Sequence, residues 1–322
     1  MRNVLIKIIR DNEIANWVGR RLIKFLVMAV NPWNKLASMY RIYGTVKLKV
    51  CDVEFKIYGK ADDHIANDLY YGRGYEGSEF RLLKYLLKNS KHMVDVGANT
   101  GIFSIYAASL NSGLDVISFE PHPSNFKRLL INVLLNNLDN IKAYDNALGP
   151  EDSQIEFTVP ADLSISTTGS ANDGFTRNFH SIDYVRIPVR QRRLDDMLAK
   201  IPITSADVLK IDVEYYELEV LKGAEATLRN KRPMILIELL DYNGLVAQFP
   251  GMEGNVDKSH ANDVITFLTK IDYHLYSIED DGLHAVSAER KGRNFLFVPE
   301  KLSREHIEFE EISDLLAESH KQ

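Results

Sequence analysis

The sequence predicts an α/β fold in which a mainly parallel sheet is covered by helices on both faces. Short apolar segments that end in polar residues alternate with helical patterns between about residues 93 and 298, and such alternation is typical of parallel sheets. The first of these segments runs into the turn 97–101, which contains two glycines, and the apolar segment 102–110 follows with the pattern of a helix. A strand, a glycine turn and a helix in this order commonly bind a nucleotide cofactor.

Seven apolar segments are predicted to form strands, with helical patterns between most of them, as at 124–137 and 214–229. The predicted strands lie at about 93–97, 115–120, 141–146, 207–212, 234–239, 272–278 and 293–298. The last two strands are separated by the polar turn 279–282 and a short segment, which predicts an antiparallel pair at one edge of the sheet.

The chain is predicted to have three parts, which are a basic helical arm with a small hairpin over 1–70, a main domain over 71–300 and an acidic tail over 301–322. Alternating apolar and polar residues at 46–58 predict the hairpin. Within the main domain, two further strands are predicted at 154–159 and 184–189. The long polar stretch between them predicts a lid loop over 161–182, since loops longer than ~12–15 residues are usually functional or disordered.

Composition narrows the classes of protein that fit this chain. Of its 322 residues only Cys51 is a cysteine, which excludes an internal disulfide and a cysteine-based zinc site and predicts a reducing, cytoplasmic location. The net charge of −6 argues against a nucleic-acid partner. Residues 1–50 nevertheless contain ten Lys/Arg and only two Asp/Glu. Two interpretations stay open: residues 1–40 pack on the body as a helix, or they lie peripherally on the inner face of an anionic membrane.

The glycine turn differs from a dinucleotide-binding loop in ways that change the predicted ligand. A pyrophosphate needs glycine at the centre of the turn, where Asn99 stands in this chain. The acidic Asp95 just before the turn would also repel a phosphate. Both features fit a cationic ligand better. Glu120 ends the next strand, and a carboxylate at this spacing can accept hydrogen bonds from ribose hydroxyls.

Several motifs together, in this order along the chain, resemble the FkbM family of class I methyltransferases. They are Asp95-Val96-Gly97-Ala98-Asn99-Thr100-Gly101, Phe119-Glu120-Pro121, Asn146-Ala147-Leu148, Leu209-Lys210-Ile211-Asp212-Val213-Glu214, Val220-Leu221-Lys222-Gly223-Ala224, Glu238 and Asn294-Phe295-Leu296-Phe297-Val298. The resemblance implies a Rossmann-like fold with a seven-stranded, mostly parallel sheet, and S-adenosylmethionine as cofactor. It implies O-methylation of sugars, glycolipids, polysaccharides or polyketides, so a sugar or lipid-linked glycan is the expected acceptor.

The family resemblance and the strand ends together predict the cofactor site. Glu120 is assigned to the ribose, although an acid before Pro121 also fits as a helix cap. Asn146 and Ala147 are assigned to adenine, with an ordinary asparagine turn as the alternative. Glu76 matches an acid that the family carries upstream. The full predicted set is Glu76, Asp95, Gly97, Ala98, Asn99, Gly101, Glu120, Pro121, Asn146 and Ala147.

Three acids at strand ends are the predicted catalytic residues. Asp212 and Glu214 are two apart, so in an extended segment their side chains point to the same side, and their mutual repulsion would raise one pKa as a general base requires. Helix capping is the alternative for this pair. Glu238 ends the fifth strand and is expected to meet the acceptor, or else to be a buried structural acid. A divalent cation at the acid pair is chemically reasonable, but no metal site is predicted.

The chain departs from the family at one position beside the predicted catalytic pair. Tyr215 follows Glu214 where the family usually has glycine. The exchange removes backbone freedom and adds bulk, which predicts a reshaped acceptor pocket or weakened activity. A non-catalytic interaction protein therefore stays open, and the shared fold leaves an NAD(P)-dependent sugar oxidoreductase as another alternative. His122 is interpreted as a surface loop residue, with a position at the cleft as the alternative. The arginines at 190, 192 and 193 are interpreted as a solvated face, with contact to an anionic substrate as the alternative.

Overall fold

The computed structural model describes residues 18, 21, 42–59, 64–71, 77–161, 169–172, 183–240, 242, 257–279, 282–286 and 293–300. Several predicted features lie outside these residues: Glu76, nearly all of the arm 1–40, most of the loop 161–182 and the tail 301–322. The division of the chain into arm, main domain and tail therefore stays a prediction.

The described residues alternate between strands and helices, as the sequence predicts. The strands are β1 (Gly44–Val50), β2 (Val53–Gly59), β3 (His92–Val96), β4 (Asp115–Phe119), β5 (Ile141–Tyr144), β6 (Ala147–Leu148), β7 (Ser153–Pro160), β8 (Tyr184–Arg192), β9 (Val208–Ile211), β10 (Met234–Glu238), β11 (Tyr273–Glu279), β12 (Gly282–Ala285) and β13 (Asn294–Pro299). The α-helices are α1 (His64–Tyr71), α2 (Gly77–Leu86), α3 (Ile102–Leu110), α4 (Pro123–Leu135), α5 (Leu194–Lys200), α6 (Glu217–Gly223), α7 (Glu225–Asn230) and α8 (His260–Thr269).

The main sheet has the strand order β12-β11-β13-β10-β9-β3-β4-β5. The five strands from β10 to β5 are parallel, whereas β13 is antiparallel to both of its neighbours. All seven predicted strands are present, and the predicted α/β class is confirmed. An eighth strand, β12, is added because the chain reverses after β11 and pairs back onto it. The predicted antiparallel pairing of the last two strands is confirmed, since β11 pairs with β13; the pair lies one strand in from the edge, because β12 takes the outermost position.

The central strands are buried on both faces, which explains why they read as continuous apolar runs. Every residue of β3 and β9 is buried. Met93 packs into the core formed with α2, α3 and the β1–β2 hairpin. Val94 and Val96 pack into the opposite core, which is formed with α5 to α8. The two cores hold the strand ends rigidly, and the functional side chains project from those ends.

The predicted N-terminal hairpin is present and is attached to the main sheet. Strands β1 and β2 pair antiparallel from Gly44 opposite Gly59 to Val50 opposite Val53. The Phe55 ring meets the Tyr106 ring of α3 edge-on, with 6.4 Å between centroids. The hairpin therefore shares the core of the main sheet.

The insertion after β5 forms a small sheet of its own. Strands β7 and β8 pair antiparallel, and β6 pairs with β8, so the strands predicted at 154–159 and 184–189 are confirmed. Between them only residues 169–172 of the loop are described. This segment is tied to β7, because Thr158 and Ser170 exchange two backbone hydrogen bonds with N–O distances of 3.0 and 3.2 Å.

The topology brings the candidate site residues to one edge of the sheet. Strands β3, β4, β9 and β10 are parallel, so their carboxyl ends meet there. Strand β13 runs the other way, and its first residue, Asn294, lies opposite Glu238 at the end of β10. Ligands of open α/β sheets bind at such an edge.

Candidate functional site

A cleft of about 250 Å³, partly open to solvent, lies at the carboxyl ends of the parallel strands. Nine of the thirteen predicted site residues line it: Gly97, Asn99, Glu120, Pro121, Asn146, Ala147, Asp212, Glu214 and Glu238. The segment 169–172 contributes Gly169 and Ala171 to the same wall. The structure thus brings the predicted cofactor and catalytic residues together around one space.

The turn after β3 passes very close to the end of β9, and this requires glycine at position 97. Gly97 has a φ of 81°, and a β-carbon built on it would lie 1.8 Å from the Asp212 carbonyl oxygen. The amides of Gly97 and Ala98 donate to the Phe119 carbonyl oxygen. Gly101, with a φ of 85°, begins α3. Ala98 and Gly101 therefore shape the turn from behind the cleft wall.

Glu120 links the glycine turn to the next helix and also faces the cleft. Its carboxylate accepts hydrogen bonds from the Asn99 amide at 2.7 Å and the His122 amide at 2.8 Å. Burial raises its pKa to about 7, even though these two amides favour the charged form. The N-cap of α4 is His122, whose Nδ1 accepts a hydrogen bond from the Ser124 amide at 3.2 Å, so Glu120 does not itself cap the helix. Each of its carboxylate oxygens has a further lone pair, which leaves the ribose-binding interpretation open.

Asp95 lies behind the turn, in the protein interior. It is fully buried and accepts a hydrogen bond from the Ser104 hydroxyl of α3. Burial raises the pKa of Asp95, while the ammonium of Lys210 on the neighbouring strand opposes this shift. Its described contacts are internal because its side chain points into the packed layer beneath α3, so direct contact with a cofactor stays a prediction.

Lys210 joins the buried Asp95 to the cleft acid Asp212. The Lys210 ammonium is buried and donates a hydrogen bond to the Asp212 carboxylate over 3.1 Å. It also lies 4.4 Å from the centre of the Phe103 ring. A buried ammonium at this distance favours the ionised form of a carboxylate.

Glu214 and Tyr215 form a left-handed turn, so the segment after β9 is not extended. Their φ angles are 55° and 73°, which costs about 1–2 kcal/mol for each residue with a side chain. Asp212 and Glu214 both line the cleft as predicted, although the reason is this turn and not the alternation of an extended strand. Burial, together with the negative charges of Asp212 and Glu217, raises the pKa of Glu214 well above its ordinary value.

The Tyr215 ring lies outside the cleft, which corrects the expectation that it adds bulk there. The ring is buried and stacks on His260 of α8, with 4.4 Å between ring centroids. Its hydroxyl donates to the Asp257 carbonyl oxygen at 2.8 Å. Tyr216 lines the cleft instead. The backbone at Tyr215 keeps the left-handed conformation that glycine favours.

Several cleft residues were not predicted from the sequence. Asn125 in the first turn of α4 is buried, and its side-chain oxygen has no hydrogen-bond partner in the described part of the chain. Arg293 precedes β13 and carries the one guanidinium among the described lining residues. The sole available signal was proximity in sequence, with Asn125 five residues after Glu120 and Arg293 next to the motif that begins at Asn294.

The contacts of His122 and of the arginine cluster bear on the interpretations given to them from the sequence. His122 is fully buried beneath the segment 169–172, so its interpretation as a surface residue was wrong, and burial lowers its pKa to about 4. Of the arginine cluster, Arg192 pairs with Asp152 and Arg193 with Asp195. Neither arginine lines the cleft.

The described ranges lack a cluster of metal ligands and a helix suited to span a membrane. Within those ranges no group of three or more His, Cys, Asp or Glu side chains is arranged to hold a metal ion. No helix in the described part of the chain is long and apolar enough to cross a bilayer.

Known proteins share this arrangement of motifs. Residues 95–275 match the family model described as the methyltransferase FkbM domain. Methyltransferase 1 of Beauveria bassiana is 25% identical over 229 residues, which cover 67% of this chain and 85% of that protein. The 2-O-methyltransferase NoeI of Sinorhizobium fredii is 27% identical over 206 residues, covering 55% and 82%. The 31-O-demethyl-FK506 methyltransferase FkbM of Streptomyces tacrolimicus is 27% identical over 174 residues, covering 48% and 67%.

Proposed function

The chain belongs to the FkbM family of methyltransferases, and we propose that it uses S-adenosylmethionine to methylate a hydroxyl of a sugar, a glycolipid, a polysaccharide or a related natural product. Two relatives carry names that refer to oxygen, 2-O-methyltransferase and 31-O-demethyl-FK506 methyltransferase. The observation that carries the proposal is the single cleft in which acids at the ends of β9 and β10 face the glycine turn and Glu120.

The charges of the cleft fit a cationic cofactor. Its described lining contains four carboxyl groups, from Glu120, Asp212, Glu214 and Glu238, and the one guanidinium of Arg293. A bound cation would favour the ionised forms of Glu120 and Glu214, whose pKa values burial raises. Such a surface disfavours the pyrophosphate of a nicotinamide dinucleotide and attracts a sulfonium. Asn99 also keeps a buried side-chain oxygen without a hydrogen-bond partner in the described structure. A buried hydrogen-bond acceptor without a donor lowers stability, and a hydrogen-bond donor of a bound ligand would satisfy it.

The roles of the catalytic acids follow from their different surroundings. The Lys210 ammonium donates a hydrogen bond to the Asp212 carboxylate and fixes its position at the end of β9. The Asp212 charge in turn raises the pKa of Glu214. A general base works best when its pKa approaches the working pH. We therefore assign proton acceptance to Glu214 and an orienting, electrostatic role to Asp212.

The chemistry needs a methyl donor and a base at one place. S-adenosylmethionine would supply an electrophilic methyl group for the acceptor oxygen, with S-adenosylhomocysteine as the other product. The Glu214 carboxylate takes the hydroxyl proton. Glu238 ends β10 beside the start of β13, where its carboxylate can accept hydrogen bonds from further hydroxyls of a sugar. Holding the reactants in line contributes up to ~7–11 kcal/mol to such a step.

Binding of the cofactor is tested by calorimetry with S-adenosylmethionine and, separately, with NAD. Binding of S-adenosylmethionine alone is expected from the charges of the cleft. Binding of NAD without S-adenosylmethionine would replace the proposal with an oxidoreductase.

Catalysis is tested by S-adenosylhomocysteine release over a panel of sugars, glycolipids and polysaccharides. Glu214→Gln is expected to lower kcat by about 10²–10⁴-fold, the usual contribution of a general base, and to leave the affinity for S-adenosylmethionine within a few fold. Glu225→Gln is the matched control, because Glu225 is an exposed acid of α7 that pairs with Arg229. Equal turnover in the two variants would remove Glu214 from the base role.

Residues 1–40 are proposed to bring the enzyme to an anionic membrane on the cytoplasmic side, near a lipid-linked acceptor. Their Lys/Arg excess supports this. Co-sedimentation with vesicles of phosphatidylglycerol and phosphatidylethanolamine compares the full chain with a chain that lacks them. Equal sedimentation would contradict the proposal.

A further inference from the structure

The turn that carries Glu214 is held by side chains from two separate parts of the chain. Glu214 and Tyr215 are consecutive left-handed residues, with φ angles of 55° and 73°. Residues with side chains adopt this conformation when the surrounding structure imposes it, and such sites cluster where function requires a fixed geometry. The contacts on both sides of the turn are therefore informative.

On one side, the segment 169–172 binds the carbonyl groups of the turn. The Ser170 hydroxyl donates to the Glu214 carbonyl oxygen at 2.6 Å. The Asn172 amide group donates to the Tyr215 carbonyl oxygen at 3.4 Å. Ser170 is fully buried and is itself fixed to Thr158 of β7 by two backbone hydrogen bonds. The small sheet of the insertion thus reaches the turn through Ser170, and Asn172 adds a longer contact.

On the other side, the first residue of α8 supports the Tyr215 ring. His260 stacks on this ring with an interplanar angle of 20°. The His260 Nε2 atom lies 2.5 Å from a carboxylate oxygen of Glu217. The other oxygen of Glu217 accepts a hydrogen bond from the Tyr215 amide at 3.1 Å. Ring, imidazole and carboxylate therefore form a closed set of contacts around the turn.

We propose that Ser170 and His260 are positioning residues that hold the Glu214–Tyr215 turn and so direct the Glu214 carboxylate into the cleft. Neither residue lines the cleft, so each acts through the turn. His260 packs against the Tyr215 ring and so stabilises a turn that has no glycine. This inference rests on the proposed function, in which Glu214 accepts the proton of the acceptor hydroxyl.

The test removes one hydrogen bond at the turn and, as a control, an equivalent hydrogen bond elsewhere in the protein. Ser170→Ala removes the hydroxyl that binds the Glu214 carbonyl oxygen. Ser90→Ala is the matched control, because the buried Ser90 hydroxyl donates to the Leu86 carbonyl oxygen at 2.7 Å, remote from the cleft. His260→Gln approaches the turn from the opposite side and serves also where Ser170→Ala fails to fold.

The first readout follows the Glu214 carboxyl by ¹³C NMR titration in protein labelled at glutamate, with Glu214→Gln used to assign the signal. The midpoint is expected to fall toward that of an ordinary glutamate in Ser170→Ala and in His260→Gln, because a released turn exposes the carboxylate to water. Ser90→Ala should match the parent. A parent-like midpoint in both turn variants would overturn the inference.

The second readout separates positioning from cofactor binding. With an acceptor from the panel, kcat is expected to fall by about 10–100-fold in both turn variants, as misplacement of a reacting group by ~1 Å can do, while KM for S-adenosylmethionine stays unchanged. A kcat equal to that of Ser90→Ala would also overturn the inference. If the parent protein did not bind S-adenosylmethionine, the proposed function would be wrong. The NMR titration would still show independently whether Ser170 and His260 hold the turn.

Discussion

Replacing Gly97 with alanine is expected to weaken binding of S-adenosylmethionine more than the same change at Gly101. Both glycines have left-handed backbones, with φ angles of 81° and 85°. A new side chain therefore costs the same conformational energy at each, about 1–2 kcal/mol. The two positions differ in what the new β-carbon meets, which makes Gly101→Ala a matched control.

The magnitudes follow from the neighbouring atoms. At Gly97 the β-carbon would stand 1.8 Å from the Asp212 carbonyl oxygen, an atom fixed in the backbone at the end of β9. At Gly101 it would stand 3.0 Å from the Leu129 Cγ, which can yield by a small side-chain movement. Forced overpacking costs about 1–3 kcal/mol. Because relief at Gly97 must separate the glycine turn from Asp212, we expect most of that energy to appear as lost affinity, about 10–100-fold.

Calorimetry with S-adenosylmethionine measures the affinity, and urea unfolding measures the stability of the same two variants. Gly97→Ala should lose both affinity and stability, whereas Gly101→Ala should lose mainly stability. If both variants bound S-adenosylmethionine equally well, the contact between the turn and Asp212 would not shape the cofactor site.

Two further predictions concern charged groups at the site. Folding raises the pKa of Glu120 to about 7, so its contribution to stability is present at acidic pH and is lost as the pH rises through about 7. The free energy of unfolding, measured with urea, should fall less over this pH range in Glu120→Gln than in the parent. Equal falls in the two proteins would contradict the raised pKa. Lys210→Met should lower the free energy of unfolding by about 3–5 kcal/mol, since it leaves the fully buried Asp95 and the partly exposed Asp212 without the Lys210 ammonium. Lys222→Met, at an exposed lysine of α6, should change it by less than about 0.5 kcal/mol, and equal effects would refute the buried pair.

The main sheet was predictable because its parallel strands are covered on both faces. A strand such as β3 is buried along its whole length and mostly apolar, and it ends in a turn whose glycine is required by close backbone contact. Each strand end could therefore be found without knowledge of its neighbours. The position of β13 could not, since nothing local to Asn294–Pro299 specifies insertion between β10 and β11.

The site was predictable where one strand end supplies the residue, and unpredictable where two distant segments meet. Glu120 and Glu238 follow directly from their strands. Arg293 reaches the cleft only because β13 runs antiparallel to β10. The depth of Asp95 was also hidden, because a strand pattern indicates alternation of side chains but does not show which one α3 covers.

Tyr215 shows how a departure from a family motif can preserve its geometry. The left-handed backbone at this position costs about 1–2 kcal/mol with a tyrosine. Burying an aromatic side chain removes roughly 150–250 Å² from water, an upper estimate of about 4–6 kcal/mol at ~25 cal/mol per Å². The packing of the ring against His260 therefore outweighs the backbone strain. Since the ring also lies outside the cleft, the missing glycine carries no argument against catalysis; it moves the support of the Glu214 turn from backbone freedom to side-chain packing.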